Sequence, residues 1–307
     1  MKAMKTFLAI DIGGTYIKSA LIDENAHISD NKRLPTAQSL EAFQKQILSL
    51  VSPMAGSIAG VAFSVPGKVD IHTCTIYHGG ALAFLHQLSL RTLIKQAFPH
   101  LEVLAENDGK AAALGELGYG NLQNTTNSAV ITLGTGVGGG LILNGEIYRG
   151  SHFLAGELSS IYGLESNNEI KVYGSLGSAV QMIQLIGTSL NLKNPNDGQA
   201  VFHAITQKNP IATKIFKNYC RQIAQLILSI QAVLDLTHYA IGGGISTQTI
   251  LIEEINRQYD ALLDKIQYNG HKIVKDTLHR PTILKAKLGN QANLYGAVYP
   301  FIKRKNK

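Results

Sequence analysis

Glu106-Asn107-Asp108 stands where a short apolar run, Leu101 to Ala105, gives way to a helical pattern, Asp108 to Leu117, with two hydrogen-bonding side chains, Asn107 and Asp108, at the junction. Asp and Asn at a helix start are ordinary caps, and capping accounts for one of them. Side chains projecting from a strand end can also grip vicinal hydroxyls, and one carboxylate can accept the proton of an attacking hydroxyl. Phosphoryl transfer asks a protein mainly to position groups and stabilise charge, so a single base at Asp108 is enough. Asn107 is then a hydroxyl ligand beside the base, and Gly156-Glu157 offers a second carboxylate for the same substrate.

Three glycine-rich turns follow apolar runs: IDIGGT from Ile10 to Thr15, ITLGTGVGGG from Ile131 to Gly140, and AIGGGIS from Ala240 to Ser246. Glycine permits positive φ and lets backbone N–H groups approach a ligand closely. Such turns cradle phosphates. Gly13, Gly14 and Thr15, Gly134, Thr135 and Gly136, and Gly242, Gly243 and Gly244 are therefore the candidate nucleotide contacts. Asp11 precedes the first turn and could hold Mg²⁺ directly or through water. Lys18 could add charge, although a solvated lysine on a strand edge would look the same. No turn has the P-loop pattern. Gly134 to Gly139 matches G-x-G-x-x-G, but a strand and a hairpin turn at Asn144-Gly145 follow instead of a helix, which argues against dinucleotide binding.

These groups need strand ends to carry them. Phe7 to Ile12, Ile17 to Asp23, Ile58 to Val65, Ala129 to Leu133, Gly140 to Leu143 and Tyr239 to Ile241 read as strands. Ser39 to Val51 and Cys220 to Asp235 carry apolar residues at helical spacing. Strands alternating with helices predict an α/β protein. With 307 residues, 45% hydrophobic and 16% charged, the chain can build a sizeable core; at about 100–200 residues per domain it forms two domains. AIDIGGTYIKSALIDENAHI and VITLGTGVGGGLILNGEI both read strand, glycine turn, strand, polar turn, short strand, so the domains are expected to be related by internal duplication.

The formal charge of +7 is scattered apart from Lys303-Arg304-Lys305, with no basic stripe interleaved with aromatics, so nucleic acid is not an expected partner. Cys74 and Cys220 are read as inert thiols. No run reaches the roughly 18 apolar residues of a membrane span and no signal-peptide pattern opens the chain, so no membrane partner and a cytoplasmic location are expected.

Taken together, the segments resemble the ROK family of bacterial sugar kinases, in the actin-like ATPase superfamily. IDIGGT and LGTGVGG (Leu133–Gly139) resemble its phosphate motifs, and IGGGI (Ile241–Ile245) its adenosine motif. SVPG (Ser64–Gly67) resembles the sugar-side loop, ENDGKAAALGE (Glu106–Glu116) the catalytic motif and AGE (Ala155–Glu157) the sugar-contact segment. LGNQANLYGA (Leu288–Ala297) resembles the closing helix that returns to the first lobe. The resemblance implies an α/β, two-lobed actin-like ATPase (ribonuclease H-like) fold with a cleft between lobes. The first lobe would take residues 1–116 with 290–307 returning to it, and the second 117–289. It implies ATP and Mg²⁺ as cofactors, Asp108 as the base, and sugar contacts at Ser64, Pro66, Gly67, Gly80, Asn107, Glu157 and Ser160. A homodimer is also implied.

Two departures from the family pattern bear on the substrate. Many members have a histidine where this chain has Ser160, and a cysteine-rich zinc loop follows there, whereas Ile161 to Gly174 contains no Cys. Zinc is therefore not expected. These features, with IYHGGAL (Ile76–Leu82), resemble the zinc-free β-glucoside kinases of the family. A serine in place of a bulky imidazole would open space for an aglycone. The expected reaction is phosphorylation of the 6-hydroxyl of the nonreducing glucose of a β-glucoside such as cellobiose. Alternatives are a monosaccharide kinase acting on glucose, fructose or N-acetylmannosamine, and a non-catalytic sugar sensor. A repressor is disfavoured because the first phosphate motif begins at residue 10.

Overall fold

The computed structural model describes residues 4–166, 169–268, 271–272 and 278–305. Its elements begin with β1 (Thr6–Ile12), β2 (Tyr16–Asp23), β3 (Ile28–Pro35), α1 (Leu40–Val51), β4 (Gly60–Val65), β5 (Lys68–Asp70), β6 (Thr75–Tyr77), α2 (Leu90–Ala97), β7 (Glu102–Asn107) and α3 (Asp108–Tyr119). They continue with β8 (Ser128–Leu133), β9 (Val137–Leu143), β10 (Glu146–Tyr148), β11 (Tyr162–Ser166), β12 (Glu169–Val172), α4 (Tyr173–Leu176), α5 (Ala179–Ser189), α6 (Gly198–Thr206) and α7 (Pro210–Leu234). Last come β13 (His238–Gly242), α8 (Thr249–Leu263), β14 (Gln267–Tyr268), β15 (His271–Lys272), β16 (Thr282–Lys285) and α9 (Ala292–Lys305). The chain forms two units, one of Met1–Gln123, Ile147–Ala155 and Gln291–Lys307, the other of Asn124–Glu146 and Gly156–Asn290.

The first unit is built on a sheet of order β3-β2-β1-β4-β7, in which β1 runs parallel to β4 and β4 parallel to β7. Alternate residues of β1 face opposite sides of the sheet, and both sides are apolar, as central parallel strands covered on two faces require. Leu8, Ile10 and Ile12 pack with Phe43 and Ile47 of α1 and Ile94 of α2. Phe7 and Ala9 pack on the other side with Leu294, Val298 and Phe301 of α9, the Phe7 and Phe301 rings stacking at 4.7 Å. Each fully buried aliphatic or aromatic side chain contributes roughly 1.5–3 kcal/mol, so this stripe suffices to hold α9 on a strand far upstream in sequence.

α9 also crosses α3 at glycines. A Cβ on Gly115 would sit 2.3 Å from the Ala292 carbonyl oxygen, and one on Gly296 only 1.6 Å from that of Ala111. The two backbones therefore approach to a distance that only glycine allows.

In the second unit the sheet order is β10-β9-β8-β13-β16, with β8 antiparallel to β9 and parallel to β13, and β13 parallel to β16. Each sheet thus places an antiparallel hairpin beside parallel strands in the same order. This is the duplicated plan that the paired glycine motifs predict, and the actin-like ATPase fold that the family resemblance implies. Asn144 and Gly145 take φ of 55° and 73°, as a two-residue hairpin turn requires. The helix expected over Cys220 to Asp235 is longer. It starts at Pro210 behind an Asn209 cap and ends where Asp235 adopts φ 47°. Asn-Pro is a helix-start signal that the apolar spacing alone did not capture.

Among the described residues no helix is long and apolar enough to cross a membrane, and no group of three or more His, Cys, Asp or Glu is arranged to hold a metal ion. Residues 167–168 of the segment from Ile161 to Gly174 lie outside those described. Cys74 and Cys220 are free and buried, and burial pushes both thiols up, away from the reactive thiolate.

Candidate active site

The parallel register of the first unit aligns Asp11 with Ser64 and Ser64 with Glu106, one residue from each of three adjacent strands near their C-terminal ends. Ligands of open α/β sheets bind beyond that end. Asp11 is 6% exposed. Its Oδ1 accepts from Ser64 Oγ at 2.8 Å and from Asn293 Nδ2 at 2.9 Å, while Lys18 Nζ lies 3.3 Å from Oδ2. Two neutral donors thus fix one carboxylate oxygen, and the other faces the half-buried Lys18. The Ser64 side chain, among the residues expected to contact the sugar, is fully buried and donates its hydroxyl to Asp11, so it positions that carboxylate.

The turn from Gly13 to Thr15 is pinned from below. Thr36 Oγ1 donates to the Gly13 carbonyl at 2.7 Å and Thr36 N to that of Thr15 at 3.0 Å. Gly14 and Thr15 are left exposed at the tip.

Asp108 opens α3 and is half-buried. Its Oδ1 accepts from Gly109 N at 2.8 Å and from Asn107 Nδ2 at 3.0 Å. The carboxylate therefore sits at the positive end of a helix with its orientation set. Asn107, read as a hydroxyl ligand, proves to be the helix cap. It is 6% exposed, its Oδ1 accepts from Lys110 N at 3.1 Å and its Nδ2 donates to the Gly67 carbonyl at 2.9 Å. Asn107 thus serves the backbone on both sides of it, and Asp108 beside it presents a carboxylate at the helix start.

Pro66, Gly67 and Gly80 lie together. Gly67 adopts φ 82°, and a Cβ there would be 1.5 Å from the His78 carbonyl oxygen; one on Gly80 would meet Pro66 Cβ at 3.5 Å. A Cβ on Gly14 would meet Ala81 Cβ at 3.4 Å, so the 78–82 loop borders the first glycine turn. Asp11, Gly13, Gly14, Thr15, Lys18, Pro66, Gly67, Gly80, Asn107 and Asp108 are thus carried by one unit.

The second unit carries the rest. Gly134 N donates to the Gly136 carbonyl, and the Gly134 carbonyl accepts from Ala179 N and Val180 N at the start of α5. Thr135 is exposed at the tip of this turn. Gly243, at φ 95°, would carry a Cβ 2.1 Å from the Leu133 carbonyl, which brings the turn of Gly242, Gly243 and Gly244 against the end of β8. Glu157 precedes a single helical turn, Leu158–Ser160, that packs on β9 through Leu158 and Gly139. Glu157 is half-buried and accepts from Ser159 Oγ, and Ser160 is exposed.

Four further residues, to which the sequence pattern assigns no role, hold these groups. Thr36 holds the first turn, Asn293 holds Asp11, and Glu106 and Arg149 form a pair behind Asp108. Arg149 Nε donates to Glu106 Oε2 at 2.8 Å, with Nη2 at 2.7 Å from the same oxygen. Asn293 left a faint signal, since it stands inside LGNQANLYGA, the segment that resembles the closing helix. Arg149 left none.

Residues 7–304 match the model of the ROK family. The chain is 29% identical to a β-glucoside kinase of Listeria innocua over 97% of its length and 98% of that protein's. It is 30% identical to an N-acetylmannosamine kinase of Escherichia fergusonii over 78% of its length and 83% of that protein's. A crystal structure of a ROK family protein from Streptococcus pneumoniae in complex with sucrose superposes with a TM-score of 0.85 at 27% identity, covering 98% of this chain and 99% of that one.

Proposed function

The chain belongs to the ROK family, and on that premise we propose that it is an ATP-dependent sugar kinase in which Asp108 is the general base. The observation that carries this reading is the carboxylate at the start of α3, oriented by Gly109 N and Asn107 and standing beyond the C-terminal ends of β4 and β7. A carboxylate so held can accept the proton of a sugar hydroxyl as that oxygen attacks phosphorus. Exposed Gly14 and Thr15 of the first unit can offer backbone donors to phosphates, and within the second unit the exposed Thr135 and the turn at Gly242 to Gly244 are the corresponding candidates. Asp11 fits a hydrated Mg²⁺ better than a direct one, because its Oδ1 is already committed to two donors and Oδ2 alone remains beside Lys18. When bound, Mg²⁺·ATP brings the phosphoryl group and neutralises charge on it. Lys18 adds a second positive charge on the same side.

The substrate we favour is a β-glucoside such as cellobiose, phosphorylated at the 6-hydroxyl of its nonreducing glucose. Ser160 supports this, being a small exposed side chain three residues past Glu157, as does the similarity to the Listeria innocua β-glucoside kinase along nearly all of both chains. ADP release measured with ATP on cellobiose, glucose, fructose and N-acetylmannosamine tests the substrate. A clear preference for a free monosaccharide removes the β-glucoside assignment and leaves the kinase one standing. Asp108→Asn tests the base. Loss of general-base catalysis lowers kcat by about 10²–10⁴-fold, and turnover at the wild-type rate sinks the role given to Asp108.

A further inference from the structure

We propose that Arg149 is a positioning residue for Asp108, acting through Glu106 and Asn107. The proposal rests on Asp108 being the base. Glu106 is 5% exposed and its two oxygens are divided between two tasks. Oε2 takes both the Nε and Nη2 contacts of Arg149, and Oε1 accepts the Asn107 backbone N–H at 3.0 Å. The peptide that leads from β7 into α3 is therefore tethered by a carboxylate whose charge Arg149 compensates.

Asn107 carries the tether onward. The same amide caps α3 at Lys110 N, grips the Gly67 carbonyl and touches Asp108 Oδ1. Any displacement of the Asn107 peptide reaches the base within one residue and the 66–67 loop within one hydrogen bond.

Arg149 is itself held in a closed loop. Its carbonyl accepts from Ala155 N at 3.0 Å, and Gly150 and Phe153 adopt φ of 69° and 62° to let the chain return. The Phe153 ring meets His72 edge-on at 5.8 Å. This loop explains why Ile147–Ala155 belongs to the first unit although the residues flanking it belong to the second. Two residues beyond the closure, the chain reaches Glu157.

A buried carboxylate deprived of its guanidinium contact pulls toward water, because burying a lone charge is costly. When Glu106 leaves, the Asn107 N–H loses its acceptor and Asp108 moves. A shift of about 1 Å at a reacting group can cost about a hundredfold in rate.

The test compares Arg149→Gln, Arg149→Lys, Glu106→Gln and the double variant Glu106→Gln/Arg149→Gln with wild type, using the sugar that wild type turns over fastest. Arg149→Gln is expected to lower kcat by about tenfold to a hundredfold while the KM for ATP changes by less than about twofold. Arg149→Lys should keep more activity than Arg149→Gln, because it retains the charge but not the forked donor pair. The double variant should be faster than the product of the single losses, since two amides leave no unpaired charge. Free guanidinium added to Arg149→Ala should restore turnover saturably. If kcat stays at the wild-type level while only the melting temperature falls, the proposal is overturned. It is likewise overturned if the double variant is as slow as the product of the singles, or if the KM for ATP rises as far as kcat falls. Should Arg149→Gln fail to fold, Arg149→Lys and the double variant carry the same comparison. Failure of the base assignment shows separately, as turnover by Asp108→Asn.

Discussion

Gly296→Ala puts two opposed effects in one residue. Alanine is the better helix former by about 1 kcal/mol, so on propensity alone α9 gains. The geometry opposes it. The new Cβ would lie 1.6 Å from Ala111 O, 2.5 Å from Ala111 C and 2.8 Å from Gly115 N. An ordinary C···O contact is about 3.3 Å, so the shortfall is about 1.7 Å, and every obstacle is main chain with no rotamer to change. α3 and α9 must separate, or α9 must slide. Overpacking of this kind costs about 1–3 kcal/mol and belongs at the upper end here, for a net loss of about 2 kcal/mol. In a protein of this size that lowers the melting temperature by about 3 °C. The same movement strips Asp11 of a ligand, because Asn293 lies on α9 and its 2.9 Å bond cannot survive a displacement of that size. Thermal unfolding followed by circular dichroism gives the first number, and the KM for ATP, expected to rise, gives the second. Gly198→Ala on α6 is the control, since its Cβ would meet the Ile183 side-chain end, Cδ1, at an ordinary 3.4 Å. A Gly296→Ala protein as stable as wild type, with an unchanged KM for ATP, would refute the argument that the glycines set the crossing.

Thr36→Val keeps the shape and the backbone bond to Thr15 but deletes the 2.7 Å bond to Gly13; at about 1 kcal/mol per hydrogen bond, the KM for ATP should rise about fivefold, while an unchanged value would show that the first turn holds itself. Gly243→Ala combines a φ of 95° with a Cβ 2.1 Å from Leu133 O, so it should abolish binding of a fluorescent ADP analogue before it alters that of sugar. Burial pushes the Glu254 carboxyl up, but hydrogen bonds from Arg257 and Gln258 outweigh this and hold it below its usual range. A carboxyl depressed on folding stabilises the protein above its unfolded pKa, and that stability is lost as pH falls through the lower folded value. The melting temperature of wild type should thus drop more steeply than that of Glu254→Gln below about pH 4, and parallel curves would contradict the pairing.

Much of this was readable in the chain because glycine turns and apolar strands are local signals. The strand before each glycine motif, the Asn144-Gly145 hairpin and the related plan of the two sheets all follow from residues adjacent in sequence. Contacts between distant residues left less trace. Ser64 enters the sugar contacts through the resemblance of SVPG to a sugar-side loop, and nothing in that segment announces its bond to Asp11, 53 positions away. Asn107 and Asp108 are neighbours with similar chemistry, and only the helix start decides which one caps. Arg149 and Glu106 are 43 positions apart, and their pairing depends on a loop returning to a sheet that its flanking residues have left. No periodicity encodes that.

Asp11 and Asn293 are separated by 282 positions. A ribosome adds about 5–20 residues per second, so on the order of 15–60 s pass between the synthesis of β1 and that of the helix that covers it. Through that interval the apolar edge formed by Phe7, Ala9, Ala20, Ile22 and Ala62 has no lid. The earliest strand to leave the ribosome is thus among the last to be dried. A nascent chain stalled before α9 would present that edge to chaperones and to its neighbours.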